Sequence, residues 1–379
     1  MALRVIVAHN QYRSELPSGE NAVVEQEIRW LTAAGVTVVP FLRSSDEIPS
    51  LPLREKVLLP LAPIWSPSAQ ADLVRLIREH RPHVLHLHNP YPLISPWVVR
   101  TAHRFGVPVV QTVHNYRQVC APGLYYRDGQ ICQDCRGRTI ALPAIRHRCY
   151  RGSLAQSAVM AVALAAHRPT WRSVDRFFAP TEAMAAHLRD YGIAADRIVV
   201  KPNSVDDPGD PPAHAGEGVL FGGRLSAEKG LRLLLDAWPV ELGRLRVAGD
   251  GELRSLVAQR PEVDYLGRLD SAGMRAAIRA AALVVVPSTL HDVHPTIVIE
   301  ALANGRPVLG TRLGGIPDLI GPAGWVVEPT VEALASALVA AVRHAPALGS
   351  VARQHYLATF TPEASVHILM REYLQLARR

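Results

Sequence analysis

Four cysteines among 379 residues, aromatic residues at only 6% and no long apolar run set the first limits on this chain. The longest apolar run considered as a span, Ala158 to Ala166, ends at His167-Arg168 and falls well short of the roughly 20 residues that cross a bilayer. No secretory leader is expected, because Met1-Ala2-Leu3-Arg4 runs directly into the strand Val5 to Ala8. Charge is unbalanced, at +7 with a pI near 9.5, yet no basic run is interleaved with aromatics, which argues against single-stranded nucleic acid as a partner. An anionic ligand, an anionic membrane surface and an ordinary solvated basic surface remain. Arg29, Arg43, Arg54, Arg75 and Arg78 would serve the membrane if they share a face. Repeats and low-complexity segments are absent, and the Ala-rich stretches read as helix surface. An apolar content of 48% suffices for two buried cores.

Strands alternate with helices in two blocks, which predicts two parallel sheets covered on both faces. In the first block the strands read Arg4 to Ala8, Val36 to Phe41, Val84 to His88, Pro108 to Val113, Arg176 to Ala179 and Ile198 to Lys201. The first helix, Asn21 to Ala34, places Val24, Ile28 and Leu31 on one face and stops at Gly35. Thr181 caps another helix, with Glu182 behind it. The breaker-rich segment Pro202 to Gly216 is a linker, and a last helix starts with Thr361 as cap and Pro362 as its first residue.

Three segments of the second block carry chemistry. A strand, Gly218 to Phe221, feeds Gly222-Gly223-Arg224-Leu225-Ser226-Ala227-Glu228-Lys229-Gly230 and then a helix bearing Leu231, Leu234, Leu235 and Trp238. Paired glycines let backbone approach a ligand, and two cations at a strand-to-helix crossing suit an anionic one. A similar turn, Gly249-Asp250-Gly251-Glu252, follows the strand Leu245 to Ala248. After Leu283 to Val286 comes PSTLHDVHPTIVIEALANGRPVLGTRLGGIPDLI, in which Asp292 and Glu300 stand eight positions apart, one on a loop and one on a helix. Two such acids can accept hydroxyls at two points along a ligand while helix-start N–H groups face an anion. Taken by spacing alone, the same acids also read as solvated surface residues.

Together, GGRLSAEKG, AGDGEL and the acid pair with GRPVLGTRLGGIPD behind it resemble the donor half of a family 4 glycosyltransferase; SGENAVVEQEIRWLTAAGVTV and PVVQTVHNYR resemble its N-terminal half. The resemblance covers nearly the whole chain. It implies the α/β GT-B fold, two Rossmann-like domains facing a central cleft. It divides the chain into an acceptor-binding domain over 1–205, a donor-binding domain over 206–358, and a helix over 359–379 returning to the first domain. It also implies a retaining, metal-independent transfer of a sugar from a nucleotide-diphosphate donor to a hydroxyl acceptor such as a glycan, a lipid-linked sugar or a small molecule. The implied setting is the cytoplasm, with peripheral contact at the membrane's cytoplasmic face as an option. An epimerase or phosphorylase of the same fold and a non-catalytic sugar-nucleotide-binding protein are the alternatives.

By the same resemblance, Arg224 and Lys229 neutralise the donor diphosphate, Glu300 holds the ribose hydroxyls, and Asp292 stands where relatives have a Glu that contacts the transferred sugar. His294 and Thr296 flank Pro295, which replaces a common Gly, and join Gly222, Gly223 and Arg268 as donor contacts. In the N-terminal half Ser18-Gly19 replaces a Gly-Gly pair, with Gly19 near the diphosphate, and His114 matches the family's sugar-facing histidine. Acceptor choice is expected from Tyr12 to Glu20, Pro90 to Ser95 and Tyr116 to Arg138. A metal on His86, His88 and His114 is not expected, since no acid or thiol accompanies them at a recognisable spacing. The cysteines Cys120, Cys132, Cys135 and Cys149 form a loop-like insertion that reads either as a structural zinc site or as reduced thiols, disulfides being unexpected without a leader.

Overall fold

The computed structural model describes residues 3–15 and 18–378. Met1 and Ala2 at the chain start, Leu16 and Pro17 within the Tyr12 to Glu20 segment, and Arg379 of the terminal helix lie outside the described residues.

The first sheet consists of β1 (Arg4–Gln11), β2 (Thr37–Ser44), β3 (Val84–Leu87), β4 (Val109–Thr112), β7 (Arg176–Ala179) and β8 (Ile198–Val200), separated by helices α1 (Gly19–Ala33), α2 (Leu53–Leu58), α3 (Pro67–His80), α4 (Val98–Arg104), α6 (Leu154–Ser173) and α7 (Glu182–Tyr191). Its order is β2-β1-β3-β4-β7-β8, with every pair parallel. Strands β3 and β4 are buried throughout, as a parallel sheet covered on both faces requires. Both β1 and β2 run three residues past their expected ends, because their register continues unbroken from Arg4 opposite Thr37 to Gln11 opposite Ser44. The insertion between β4 and α6 holds a short antiparallel hairpin, β5 (Tyr126–Arg127) with β6 (Gln130–Ile131), and α5 (Leu142–Arg146).

The second sheet contains β9 (Val219–Gly222), β10 (Leu245–Ala248), β11 (Val263–Gly267), β12 (Leu283–Val286), β13 (Val308–Thr311) and β14 (Gly324–Val327), ordered β11-β10-β9-β12-β13-β14 and again all parallel. Helices α8 (Leu231–Asp236), α9 (Arg254–Ala258), α10 (Ser271–Ala280), α11 (Thr296–Ala303), α12 (Ile316–Ile320) and α13 (Val331–Thr359) cover it, and α14 (Pro362–Ala377) follows. The edge strands β11 and β14 are half-exposed along most of their length.

Contacts divide the chain into one unit of residues 1–125, 132–201 and 365–379 and a second of 126–131 and 202–364. From Ser365 onward α14 belongs to the first unit, whose core takes Leu369, Tyr373 and Leu376 beside Val5, Val7 and Leu31. Two readings need correction. Ala161, Ala163, Ala341 and Ala352 are fully buried, so the Ala-rich stretches are packing surfaces that let helices approach closely. And among the described residues Val331–Ala377, with a mean hydropathy of 1.3 over its most apolar part, is by length and composition apolar enough to cross a membrane, so Ala158 to Ala166 is not the longest candidate; Leu334, Leu338 and Tyr356 of that stretch pack into the core.

Candidate active site

In the second sheet the chain direction of assembly reverses between β9 and β12, and open α/β sheets bind ligands beyond the carboxyl ends of the strands at that point. The segment Gly223 to Gly230 follows β9 and Pro287 to Asp292 follows β12. Gly230 has φ of +72°, and a Cβ there would lie 1.7 Å from the Pro287 carbonyl oxygen, so only glycine lets the two loops touch. Gly314 repeats the device from β13, with φ of +58° and a virtual Cβ 2.2 Å from the Asp292 carbonyl oxygen. The Thr289 N–H donates to the Glu228 carbonyl at 2.9 Å, and the Thr311 hydroxyl donates to the Ser288 carbonyl at 2.6 Å.

This packing sets the Lys229 ammonium directly against the Asp292 carboxylate, which also accepts from the Ser288 hydroxyl at 3.2 Å. The third motif joins them: the Leu225 N–H donates to the Asp250 carbonyl at 2.9 Å and the Ala227 N–H to the Glu252 carboxylate at 3.2 Å. Arg224 lies exposed on the same turn, and Arg268 is exposed just past β11. Gly222 ends β9 against Ile297 and Met274, while Gly223 has open space where a side chain would be. Thr296 opens α11 one turn before Glu300; burial raises the Glu300 carboxyl above its ordinary range against the opposing pull of Thr296 and Arg275. His294 is placed otherwise, buried with Nε2 accepting the Asn203 N–H at 3.2 Å and its ring edge-on to Phe360.

The first unit concentrates its chemistry beyond β1, β3 and β4. His114 Nε2 lies 2.9 Å from His88 Nδ1 with the rings stacked, and burial followed by repulsion from His88 and His9 holds the His114 imidazole well below its usual range, hence neutral. His88 Nε2 in turn stands 3.4 Å, and His86 Nδ1 3.2 Å, from one carboxylate oxygen of Glu27, while Lys201 Nζ bonds the other at 2.6 Å. Burial alone would raise the Glu27 carboxyl, but Lys201 and the two histidines outweigh it and hold it well below the carboxylate range. Tyr373 OH completes the group 2.6 Å from His86 Nδ1, and Thr112 Oγ1 lies 2.8 Å from His86 Nε2.

Glu27 and Lys201 were not anticipated as functional. The one available signal was Glu27 itself, three residues after Val24 and four before Leu31, an acid on the apolar face of α1. It is also the acid that spacing did not supply to the histidines: among the described residues, Glu27, His86 and His88 have ligand atoms within 4.8 Å of one another. The ammonium of Lys201 already supplies the positive charge that a metal would bring there. Ser18 caps α1 by accepting the Asn21 N–H at 3.4 Å, with Gly19 as the first helical residue. The four cysteines form no disulfide and no comparable ligand group among the described residues, so zinc is not supported.

Two all-parallel six-stranded α/β units, with cationic turns at the switch point of the second, define the architecture of GT-B glycosyltransferases. Residues 18–204 match the glycosyl transferase 4-like domain and residues 216–344 the glycosyl transferases group 1 domain. The chain belongs to the family 4 glycosyltransferases. It is 26% identical over 315 residues to a phosphatidyl-myo-inositol mannosyltransferase of Mycobacterium leprae, covering 78% of this chain and 72% of that one. To a D-inositol 3-phosphate glycosyltransferase of Pseudarthrobacter chlorophenolicus it is 26% identical, covering 69% of this chain and 63% of that one. Its fold resembles that of sucrose-phosphate synthase from Thermosynechococcus elongatus, with a TM-score of 0.70 at 18% identity over 99% of each chain. Anabaena HepE, solved with UDP and glucose, superposes with a TM-score of 0.64 at 16% identity, covering 99% of this chain and all of that one.

Proposed function

We propose that this glycosyltransferase uses a nucleoside-diphosphate sugar as donor, retains the configuration of the transferred sugar and needs no divalent metal. The observation that carries the reading is the cationic turn: Lys229 is held in place by Asp292, Arg224 is exposed beside it, and Gly223 leaves the backbone open to a ligand. A diphosphate arriving there takes over the ammonium, and Asp292 is released to accept a sugar hydroxyl. Glu300, opening its helix's second turn, accepts the ribose hydroxyls, and His114 from the first unit accepts or donates to the sugar as a neutral imidazole.

In the reaction the bond between the anomeric carbon and the diphosphate oxygen breaks, and the acceptor oxygen bonds the same carbon on the same face. The acceptor proton passes to the departing diphosphate oxygen, and the nucleoside diphosphate leaves. Arg224 and Lys229 stabilise the charge that develops on that leaving group. Support for a glycan or lipid-linked acceptor comes from relatives named for phosphatidyl-inositol and inositol phosphate. A cytoplasmic enzyme touching a membrane surface is consistent with exposed Arg54 beside exposed Leu53 and Val57 on α2 and with exposed Arg78 on α3, whereas Arg75 is paired with Asp72 and Glu79. Arg43 is engaged with Glu47 instead.

Product analysis by NMR tests this. Transfer from UDP-glucose or GDP-mannose in the presence of EDTA, giving a product with the donor's anomeric configuration, is expected. An inverted product, or activity restored only by added magnesium or manganese, overturns the corresponding part of the reading.

A further inference from the structure

The hydrogens of the buried row behind His114 can be followed from one end to the other. At its start Lys201 Nζ bonds Glu27 Oε2 at 2.6 Å and lies 3.2 Å from Ser365 Oγ, and both charged side chains are almost wholly buried. The other carboxylate oxygen, Glu27 Oε1, and the ring nitrogen His88 Nε2 are buried atoms with no well-aligned hydrogen bond, and they lie 3.4 Å from each other. An ionised carboxylate only accepts, and a buried polar atom is costly to leave unpaired, so the hydrogen between the two sits on His88 Nε2.

The Lys201 ammonium already balances the Glu27 carboxylate, and a second buried cation would have no counter-charge, so His88 carries that one hydrogen only. Its Nδ1 is then a lone pair. His114 Nε2 lies 2.9 Å from it, and since two facing lone pairs repel, the hydrogen of this contact comes from His114. An imidazole with its hydrogen on Nε2 has an acceptor at Nδ1, and His114 is the partly exposed end of a row whose other members, Glu27, His86 and His88, are buried.

We propose that Glu27 and Lys201 are positioning residues for the transfer: acting through His88, they hold His114 with its hydrogen on Nε2, so that Nδ1 accepts a hydrogen bond from a sugar hydroxyl and cannot donate one. The inference rests on the sugar-facing role given to His114 above, and it makes that role one-sided. A hydroxyl that donates to Nδ1 is recognised, whereas a carboxylate oxygen in the same place meets a second lone pair.

Long-range proton–nitrogen correlation NMR of the full chain, with isotope-labelled histidine and the His114 ring assigned by its loss in His114→Gln, tests this. A single neutral tautomer of His114, protonated at Nε2, is expected. A ring protonated at Nδ1, or a mixture of the two forms, overturns the proposal, and this wild-type measurement decides whether or not any variant folds. In Lys201→Met with Glu27→Gln, whose amide can turn an N–H toward His88, the single tautomer should give way to a mixture. There kcat/KM for the sugar donor should fall about tenfold, the worth of one hydrogen bond, while binding of UDP or GDP, which lack the sugar, stays unchanged. An unchanged tautomer in that variant, shown to be folded by circular dichroism, or a changed tautomer with wild-type kcat/KM, overturns the positioning role. Failure of UDP and GDP to bind the wild type while His114 shows the expected tautomer would instead tell against the donor reading alone.

Discussion

The two units solve the placement of charge in opposite ways. In the second, Lys229 and Asp292 meet at a partly exposed crossing of two loops, with side chains 25% and 13% accessible, so the pair can be reopened by an incoming anion at small cost. In the first, Lys201 and Glu27 meet at 1% and 2% accessibility, surrounded by His86, His88 and Tyr373. Such a pair is not exchangeable: its charges have left water and hold each other. The difference teaches that the second unit keeps its ion pair at a crossing that an incoming anion could reopen, whereas the first unit uses its ion pair to fix a row of histidines ending at His114.

The sharpest way to break this contrast is to remove one cation from each unit. Lys201→Met should cost on the order of 3–5 kcal/mol in chemical denaturation, because Glu27 is left charged and buried, and Lys201→Met with Glu27→Gln should recover much of it. Lys229→Ala should change stability by only about 1 kcal/mol, since its pair is partly exposed. Its turnover should nevertheless fall roughly 10²–10³-fold, as expected for removing a group that stabilises developing charge. Equal stability losses in the two variants would erase the distinction.

A second test concerns acid. His9 is pulled down to about 3 by burial and His88, and His86 and His114 are lowered the same way, so the folded unit holds these rings neutral. In the unfolded chain they protonate near pH 6.5, so stability should be full above that pH and fall steadily below it. A melting temperature independent of pH between 6.5 and 4 would mean that the rings are not buried neutral. Gly230→Ala sharpens the other half: strain at φ of +72° plus the clash with Pro287 should cost on the order of 1–3 kcal/mol and separate Lys229 from Asp292, read as lost stability together with lost turnover. The smallest effect belongs to a feature neutral to both sites. Thr181 accepts the Met184 N–H at the start of α7, and Thr181→Ala should lower stability by about 1 kcal/mol and leave activity intact.

The same contrast explains what was legible in the sequence. The turns of the second unit are contiguous, since Gly222 to Gly230 and Pro287 to Glu300 each carry their own charges and helix start, and strands such as Leu245–Ala248 and Leu283–Val286 stand out as apolar runs. The histidine row is assembled from α1, the ends of β3, β4 and β8, and α14, so His86 and His88 were visible but their acid, Glu27, was 59 and 61 positions away and its counter-ion, Lys201, another 174 from Glu27. No spacing rule reaches that far; only the fold brings them together. Glu20 and Arg117 fall inside segments expected to shape acceptor choice, but their partners Tyr12, Asn89 and Asn115 are set by the fold. His294, expected as a ligand contact from its place in the acid-to-acid loop, also accepts the Asn203 N–H through Nε2, a bond that only the fold reveals.

Direct binding of nucleotide to the cationic turn bears most heavily on how this enzyme works. Isothermal titration of the full chain with UDP, GDP, ADP and TDP in EDTA should find one nucleoside diphosphate that binds the wild type and loses most of its affinity in Lys229→Ala, while Lys201→Met with Glu27→Gln still binds it. Binding that requires a divalent metal, or that is indifferent to Lys229, would contradict the assignment of the donor diphosphate to that turn.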